Sequence, residues 1–281
     1  MSEAADPPRP PDPRRALLAR ADAPGLPPGT LITRPARRRP LLRRRRPEPL
    51  LWLSDGPVED PAGGRSVPPG LTPVLLHDRP NLEEWWRTGA LDPGRASDPD
   101  DHDAEAVLGE YWDAVVPDPE EGAEGEELIA PFGRARPPLA PHGAPDPEGN
   151  PEAGARATAR ALLAEGWFGR PRLALVPAAR PADVPAVLGW SGPVNHEGDT
   201  ARISAVLRSW EDRFGARLLA LGFDRLDLYV AAPPRTPADV LAVAAEHFAF
   251  CPDNVWQGSG TVAAYAEEGV AGSSHWSFWW D

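Results

Sequence analysis

A histidine, a cysteine and an aspartate lie close together near the C-terminus, at His247, Cys251 and Asp253. His247 and Cys251 are four residues apart, a spacing that places two side chains on one face of an α-helix. Imidazole and thiolate are ligands for a soft metal ion, but a zinc site needs three or four ligands and no second pair accompanies these two. The sequence therefore predicts neither a metal site nor a cofactor.

The same three residues could instead form the nucleophilic site of an enzyme. Cys251 would act as a nucleophile only if its pKa were lowered, which His247 one turn earlier or the N-terminus of the next helix could do. A small hydrolase-like enzyme using Cys251 or Asp253 with His247 is therefore one hypothesis. A lone cysteine at a helix end is more commonly a small buried side chain, and the sequence favours that role.

The segment after this cysteine is rich in polar side chains that could contact a ligand or a partner. Side-chain amides and a carboxylate can converge in a loop that follows a proline-terminated helix. The candidate contacts are Asp253, Asn254, Trp256, Gln257 and, farther along the chain, Trp279. The alternative is a turn in which Asp253 caps backbone amides and Gly258 adopts a positive φ. The sequence leaves both interpretations open.

Motifs of well-known catalytic sites are absent from the sequence. It contains no Gly-x-Ser-x-Gly, no P-loop pattern, no His-Glu-x-x-His and no Cys-x-x-Cys. The acidic run Asp98–Asp103 resembles part of a calcium-binding loop, but it lacks the glycine and the final glutamate that such a loop requires. A solvated acidic loop is predicted there.

Charge and composition exclude some broad classes of protein. The net charge is -13 and the pI is near 5.0, which argues against a general nucleic-acid or membrane-surface binder, because phosphate contacts need a basic face. The chain has one cysteine and no run of about 18 apolar residues, so a cytoplasmic location without membrane association is predicted. The exception is Arg34–Arg46, with eight arginines in thirteen positions, through which nucleic acid could bind.

Proline and glycine divide the chain into four parts. Most of the 38 prolines lie in the first 150 residues and disfavour regular structure there. Residues 1–48 are predicted to form a disordered Pro/Arg-rich arm, 50–115 an N-terminal structured part with short strands and helices, 116–152 an acidic, proline-rich linker, and 153–281 a C-terminal α+β domain.

The C-terminal part begins with a strong helix pattern followed by a hairpin. Apolar residues recur at i, i+3, i+4, i+7 and i+11 from Ile203 to Phe214, which predicts an amphipathic helix capped at Asp199 or Thr200. Two short apolar runs separated by a glycine-containing turn then predict a hairpin over 217–231.

A second helix and a terminal strand complete this part. The helix is predicted to begin at a capping threonine, Thr236, and to end before Pro252. In the last strand Trp276, Phe278 and Trp280 alternate on one face, so Trp279 must face the other way. Together with a strand at 173–176, the order is βαββαβ. This order predicts a ferredoxin-like antiparallel sheet with helices on one face.

Three motifs occur in order along the C-terminal part. They are Leu-Arg-Ser-Trp-Glu-Asp-Arg-Phe-Gly at 207–215, Glu-His-Phe-Ala-Phe-Cys-Pro-Asp-Asn-Val-Trp-Gln-Gly at 246–258, and Trp-Ser-Phe-Trp-Trp-Asp at 276–281. Over about residues 185–281, the chain resembles the bacterial family known only as domain of unknown function 4253. The segments 51–55 and 130–133 are similar to the upstream region of its actinobacterial members. The resemblance implies no reaction, ligand or catalytic residue.

The sequence as a whole favours a binding role. It offers no set of acid, base and nucleophile, whereas its C-terminus is rich in aromatic and amide side chains, which are typical of interaction surfaces. The predicted function is a non-enzymatic cytosolic binding or protein-interaction module, of the immunity or regulatory type. Its partner would be an unknown protein or a small ligand.

Overall fold

The computed structural model of the chain describes residues 17, 26–34, 49–61, 67, 70–77, 82–118, 120, 122–143 and 149–281. Within these residues, seven strands form one sheet: β1 (Gly29–Thr33), β2 (Pro49–Ser54), β3 (Thr72–Leu76), β4 (Arg172–Val176), β5 (Arg217–Leu221), β6 (Arg225–Tyr229) and β7 (His275–Trp279). The α-helices are α1 (Leu82–Thr88), α2 (Ala104–Val115), α3 (Gly122–Ile129), α4 (Pro151–Ala164), α5 (Val184–Leu188), α6 (Thr200–Phe214), α7 (Pro237–Phe250) and α8 (Val262–Tyr265).

The strands lie in the order β1-β2-β4-β3-β5-β6-β7. Neighbouring strands run antiparallel except β3 and β5, which run parallel. The mixed α+β class is therefore confirmed. The ferredoxin-like βαββαβ topology is wrong, because that sheet has four strands and the sheet in the described residues has seven. In addition, β3 separates β4 from β5, so the C-terminal strands are not contiguous.

The composition of β2 and β3 explains why the sheet is larger than predicted. Both strands are apolar and buried at nearly every position, on both faces. A strand of this kind is stable in the interior of a sheet that is covered on both sides. Although β2 and β3 precede the C-terminal part in the chain, they pair with β4. The N-terminal and C-terminal parts therefore contribute to one sheet.

Helices cover both faces of this sheet, which corrects the prediction of helices on one face. On the first face, α2, α5, α6 and α7 pack over the main hydrophobic cluster. Ile203, Trp210 and Phe214 of α6 are buried there, as their spacing predicted. On the second face, α4 packs against β5 and β6 through small side chains that include Ala155 and Ala159.

Capping residues fix the ends of the two long C-terminal helices. Asp199 accepts a hydrogen bond from the N–H of Ala201 at the start of α6, and Gly215 ends that helix with a left-handed backbone (φ 63°). Thr236 accepts a hydrogen bond from the N–H of Asp239 at the start of α7. These caps agree with the sequence analysis, and the end of α7 places the polar segment that follows it beside the sheet.

Residues of the predicted arm and linker also take part in the structure. Gly29–Thr33 forms β1, and Arg34 forms an ion pair with Asp92. The arginines at 37–39 and 43–46 lie outside the described residues. The predicted linker contains α3 and the first residues of α4. None of the helices in the described segments is long and apolar enough to cross a membrane.

Candidate functional site

The histidine and cysteine singled out above lie in the core. His247 near the end of α7 and Cys251 just after it are both fully buried. Nδ1 of His247 lies 3.1 Å from the hydroxyl of Tyr265, and its ring contacts the ring of Trp276 edge-on. The backbone N–H of Cys251 donates to the carbonyl of His247 (2.8 Å), but in the fully described C-terminal part no hydrogen bond joins the side chain of His247 to that of Cys251 or of Asp253.

Burial opposes the charged forms of both side chains. Burial raises the pKa of the Cys251 thiol well above its usual value. Burial, together with the positive charge of Arg213, holds the pKa of His247 well below its usual value. A thiolate beside a protonated imidazole is therefore disfavoured here. This arrangement is that of a packed core and gives no support to the hydrolase-like alternative.

The buried thiol is expected to be unreactive in the folded protein. Because the thiolate is the attacking form, Cys251 should react with iodoacetamide at least about 100 times more slowly in the native protein than in the urea-unfolded chain. The chain has a single cysteine, so mass spectrometry of the intact protein reports this side chain alone. Native labelling as fast as that of the unfolded chain would contradict the core assignment.

The polar side chains after α7 form hydrogen bonds with backbone groups along the outer edge of β7, the last strand of the sheet. We call this set of hydrogen bonds the edge cap. Asn254 donates through Nδ2 to the carbonyl of Ser277 (2.8 Å) and accepts through Oδ1 from the N–H of Trp279 (3.4 Å). Cys251 donates its S–H to the carbonyl of Trp279 (3.0 Å). One amide and one thiol thus replace hydrogen bonds that a neighbouring strand would make.

Two further side chains extend this edge cap. Asp253 accepts a hydrogen bond from the N–H of Asp281 (3.1 Å). Ser273 accepts from the N–H of His275 (3.3 Å) and donates to its carbonyl (2.6 Å). An uncovered edge strand is a template for pairing with another chain. The segment from Cys251 to Asn254 therefore has a structural role, in which its side chains cover the edge of β7.

Replacing Asn254 with alanine should destabilise the folded protein and expose the edge of β7. We expect the free energy of unfolding to fall by about 2 kcal/mol, because partly buried backbone groups of β7 lose their hydrogen-bond partners. The matched control is Asn195→Ala, which removes an exposed amide that donates to the carbonyl of Asp281 and should cost less than about 0.5 kcal/mol. Urea unfolding measures both, and equal losses would rule out the edge cap.

The other predicted contacts are distributed over the surface. Asp253 accepts a hydrogen bond from Nε2 of Gln257 (3.0 Å), next to the exposed Trp256. Trp279 lies on the second face of the sheet and is partly exposed. The structure thus brings Asp253 and Gln257 together and buries Asn254. It also places Trp279 opposite the buried side chains of β7, as the alternation predicted.

A buried carboxylate on the second face organises a group of side chains that the sequence analysis did not identify. Asp227 in β6 accepts a hydrogen bond from Nε1 of Trp167 (2.9 Å), and the same oxygen lies 2.9 Å from Nε2 of His275. The other carboxylate oxygen lies 3.5 Å from Nε2 of His77, the residue after β3. We call these four side chains the Asp227 cluster.

The turn after α4 positions the aromatic member of the Asp227 cluster. Gly166 and Gly169 both adopt a left-handed backbone (φ 77° and 65°), which glycine adopts without strain and which lets the chain reverse direction. Trp167 lies between them and reaches Asp227 with its indole nitrogen. Its ring also packs edge-on against His275, at 5.3 Å between centroids. The turn therefore holds the indole ring at the surface in a defined orientation.

The Asp227 carboxylate remains ionised although it is buried. Burial alone would raise its pKa, but the hydrogen bonds from His275 and Trp167, together with the nearby imidazole of His77, outweigh that effect and hold the pKa well below its usual value. A buried charge is costly unless its donors stay in place. The carboxylate therefore fixes the side chains around it.

The Asp227 cluster borders a cleft of about 530 Å³, which we call the Trp167 cleft. Its lining includes His77, Trp167, Phe168, Arg170, Phe223 and Arg225. Trp167 and Phe223 each expose 44% of their surface, although large aromatic side chains are usually buried in proteins. A concave site of this size with aromatic walls and a few polar groups is typical of small-molecule binding.

A separate group of serine, histidine and aspartate has a structural role. Oγ of Ser97 donates to Asp199 (2.6 Å) and lies 2.6 Å from Nε2 of His102. In a catalytic triad the carboxylate binds the far nitrogen of the histidine, not the serine. Asp199 also accepts from the N–H groups of Ser97 and Ala201. This group therefore anchors the loop before α2 to the N-terminus of α6.

Sequence reasoning missed the Asp227 cluster because its members come from four separate elements. One local signal existed, since Asp227 is a charged residue between Leu226 and Leu228 in an apolar strand. On its own, that alternation predicts an exposed face, because nothing nearby in sequence indicates what covers the aspartate. Only the position of β3 beside β5 brings His77 to it.

The fold and the cleft define a mixed α+β protein with a seven-stranded sheet and a candidate small-molecule site. The model of the family described as "Domain of unknown function (DUF4253)" matches residues 172–281. The resemblance expected from the three C-terminal motifs is therefore confirmed. The matched range includes Asp227 and His275, whereas His77 and Trp167 precede its first residue. No curated protein and no solved structure matches the chain.

Proposed function

We propose that the protein is a non-enzymatic binding module and that its ligand occupies the Trp167 cleft. The observation that carries this proposal is the exposed ring of Trp167, which its hydrogen bond to the buried Asp227 holds in place. A side chain that is ordered before binding loses little conformational entropy when the ligand arrives, so it favours affinity. The size of the cleft favours a small ligand over a protein segment.

The second face of the sheet extends this proposed binding surface. Trp279 is the cross-strand partner of Arg225, and directly opposite residues share a face. Trp279 would therefore contribute to the rim of the Trp167 cleft, in agreement with its expected role as a contact. A module of the immunity or regulatory type would act by holding its ligand. A cytosolic location agrees with a single cysteine that stays reduced.

A thermal-shift screen of small metabolites on the full chain tests the proposal. At least one compound is expected to raise the Tm, because a ligand of the native state stabilises it. In Trp167→Ala the shift should disappear. In Trp256→Ala it should persist, because Trp256 is exposed to a similar extent (48%) but does not line the cleft. If no compound acts through Trp167, the proposal fails.

A further inference from the structure

Two arginines line the Trp167 cleft without a carboxylate partner. Within the described residues, Arg170 and Arg225 form no ion pair, whereas ten other arginines do. With a net charge of -13, the chain has no shortage of carboxylates. Asp224 also lines the cleft, but it forms no ion pair with either arginine in the part that the structure describes. Both guanidinium groups are therefore free to bind an anion.

One of these guanidinium groups has a defined position. Cζ of Arg225 lies 5.5 Å from the centroid of the Trp167 ring, a cation–π contact. That ring is itself held by its hydrogen bond to Asp227. An anion in the cleft would thus meet a guanidinium group that is already ordered next to an aromatic surface.

Two aromatic surfaces are exposed at the same cleft. Trp167 and Phe223 both line it, and Phe223 packs edge-on against Trp85 at 6.3 Å between centroids. Aromatic side chains stack on planar ligand rings of many kinds, because every such ring has a π-face. The cleft therefore combines stacking surfaces with unpaired positive charge.

We propose that the Trp167 cleft binds a small aromatic anion, in which a planar ring stacks on Trp167 and a phosphate or carboxylate group pairs with Arg225 and Arg170. This inference rests on the proposed binding function and specifies the chemical class of the ligand. The volume of about 530 Å³ lies within the range of sites that hold molecules of this size.

Calorimetric titration of the full-length protein with two matched pairs of compounds tests this class. The pairs are AMP with adenosine, and indole-3-acetate with indole. In at least one pair, the anion should bind at least about 10 times more tightly than its neutral counterpart, because charge-assisted hydrogen bonds are stronger than neutral ones. If neither anion binds more tightly than its counterpart, the inference is overturned.

Two arginine variants test the residue assignment. Arg225→Gln should weaken binding of the anion at least about 10 times and leave binding of the neutral compound nearly unchanged. Arg235→Gln, at an exposed arginine outside the cleft, should bind both compounds as the wild type does. Equal affinity of Arg225→Gln and Arg235→Gln for the anion would contradict the inference. Melting temperatures of both variants confirm that they are folded.

Failure of this inference is distinguishable from failure of the proposed function. If neutral aromatic compounds bind in a Trp167-dependent manner and the anions bind no better, the protein is a binding module for a different ligand class. If neither anions nor neutral compounds depend on Trp167, the proposed function fails as well.

Discussion

Replacing Glu246 with alanine is expected to lower the free energy of unfolding by about 3–5 kcal/mol, because the change leaves the buried Arg213 guanidinium without its counter-charge. The carboxylate of Glu246 accepts two hydrogen bonds from Arg213 (2.9 and 2.6 Å). It also accepts one from Nε1 of Trp210 and one from the N–H of Ala140, both 2.8 Å long. These bonds tie α7 to α6 and to the segment around Ala140. Urea unfolding followed by circular dichroism measures the loss.

Two controls separate the charge effect from a general loss of packing. Glu84→Ala breaks an exposed ion pair with Arg87 and should cost less than about 0.5 kcal/mol. The double variant Glu246→Leu with Arg213→Met replaces both charges by apolar groups and should lose less stability than Glu246→Ala. A loss below about 1 kcal/mol in Glu246→Ala would show that the pair does not stabilise the contact between α6 and α7.

The second large effect is expected at Asp227. Asp227→Ala should lower the free energy of unfolding by about 3 kcal/mol, because the donors of Trp167 and His275 lose a buried, charged acceptor. The same change should abolish ligand binding, because the indole ring is no longer held. Calorimetric titration at a temperature where the variant is fully folded measures its affinity for the ligand separately from its stability.

The pH dependence of stability provides an independent test at Asp227. Its pKa in the folded protein is lower than in an unfolded chain, so its stabilisation is fully present above the unfolded pKa and is lost as the pH falls towards the folded pKa. The difference in unfolding free energy between wild type and Asp227→Asn should therefore narrow as the pH falls below about 4. A difference that does not change with pH would refute the assignment of an ionised, hydrogen-bonded carboxylate.

Local patterns in the sequence predicted the C-terminal elements well. The apolar spacing from Ile203 to Phe214 and the capping residue Asp199 define α6 as the structure has it. The alternation of Trp276 and Phe278 places them in the core. Such features depend on residues within a few positions of each other, and a single sequence contains that information.

The arrangement of the strands could not be predicted in the same way. β3 lies between β4 and β5, which are its neighbours in space but not in the chain. Its apolar composition indicates burial on both faces, yet it does not specify which strands flank it. The assumption that consecutive C-terminal strands form a separate sheet produced the wrong ferredoxin-like topology.

The candidate site likewise has a part that local sequence patterns predicted and a part that depends on long-range contacts. The polar segment after Cys251 could be identified in the sequence. Whether it contacts a ligand or has a structural role could not be decided without the position of β7, whose edge Asn254 covers. The Asp227 cluster could not be predicted, because Trp167, Asp227 and His77 meet only when β3, β5, β6 and the turn after α4 are assembled. Long-range contacts of this kind determine the cleft.

Binding of a ligand in the Trp167 cleft is tested most directly by ¹⁹F NMR of the protein labelled with 5-fluorotryptophan. Trp167→Phe and Trp256→Phe assign two of the eleven tryptophan resonances. The compound that raises the Tm most in the metabolite screen is then titrated into the labelled protein. We predict that the Trp167 resonance shifts with saturation while the Trp256 resonance stays in place. A shift at Trp256 with no change at Trp167 would contradict the account.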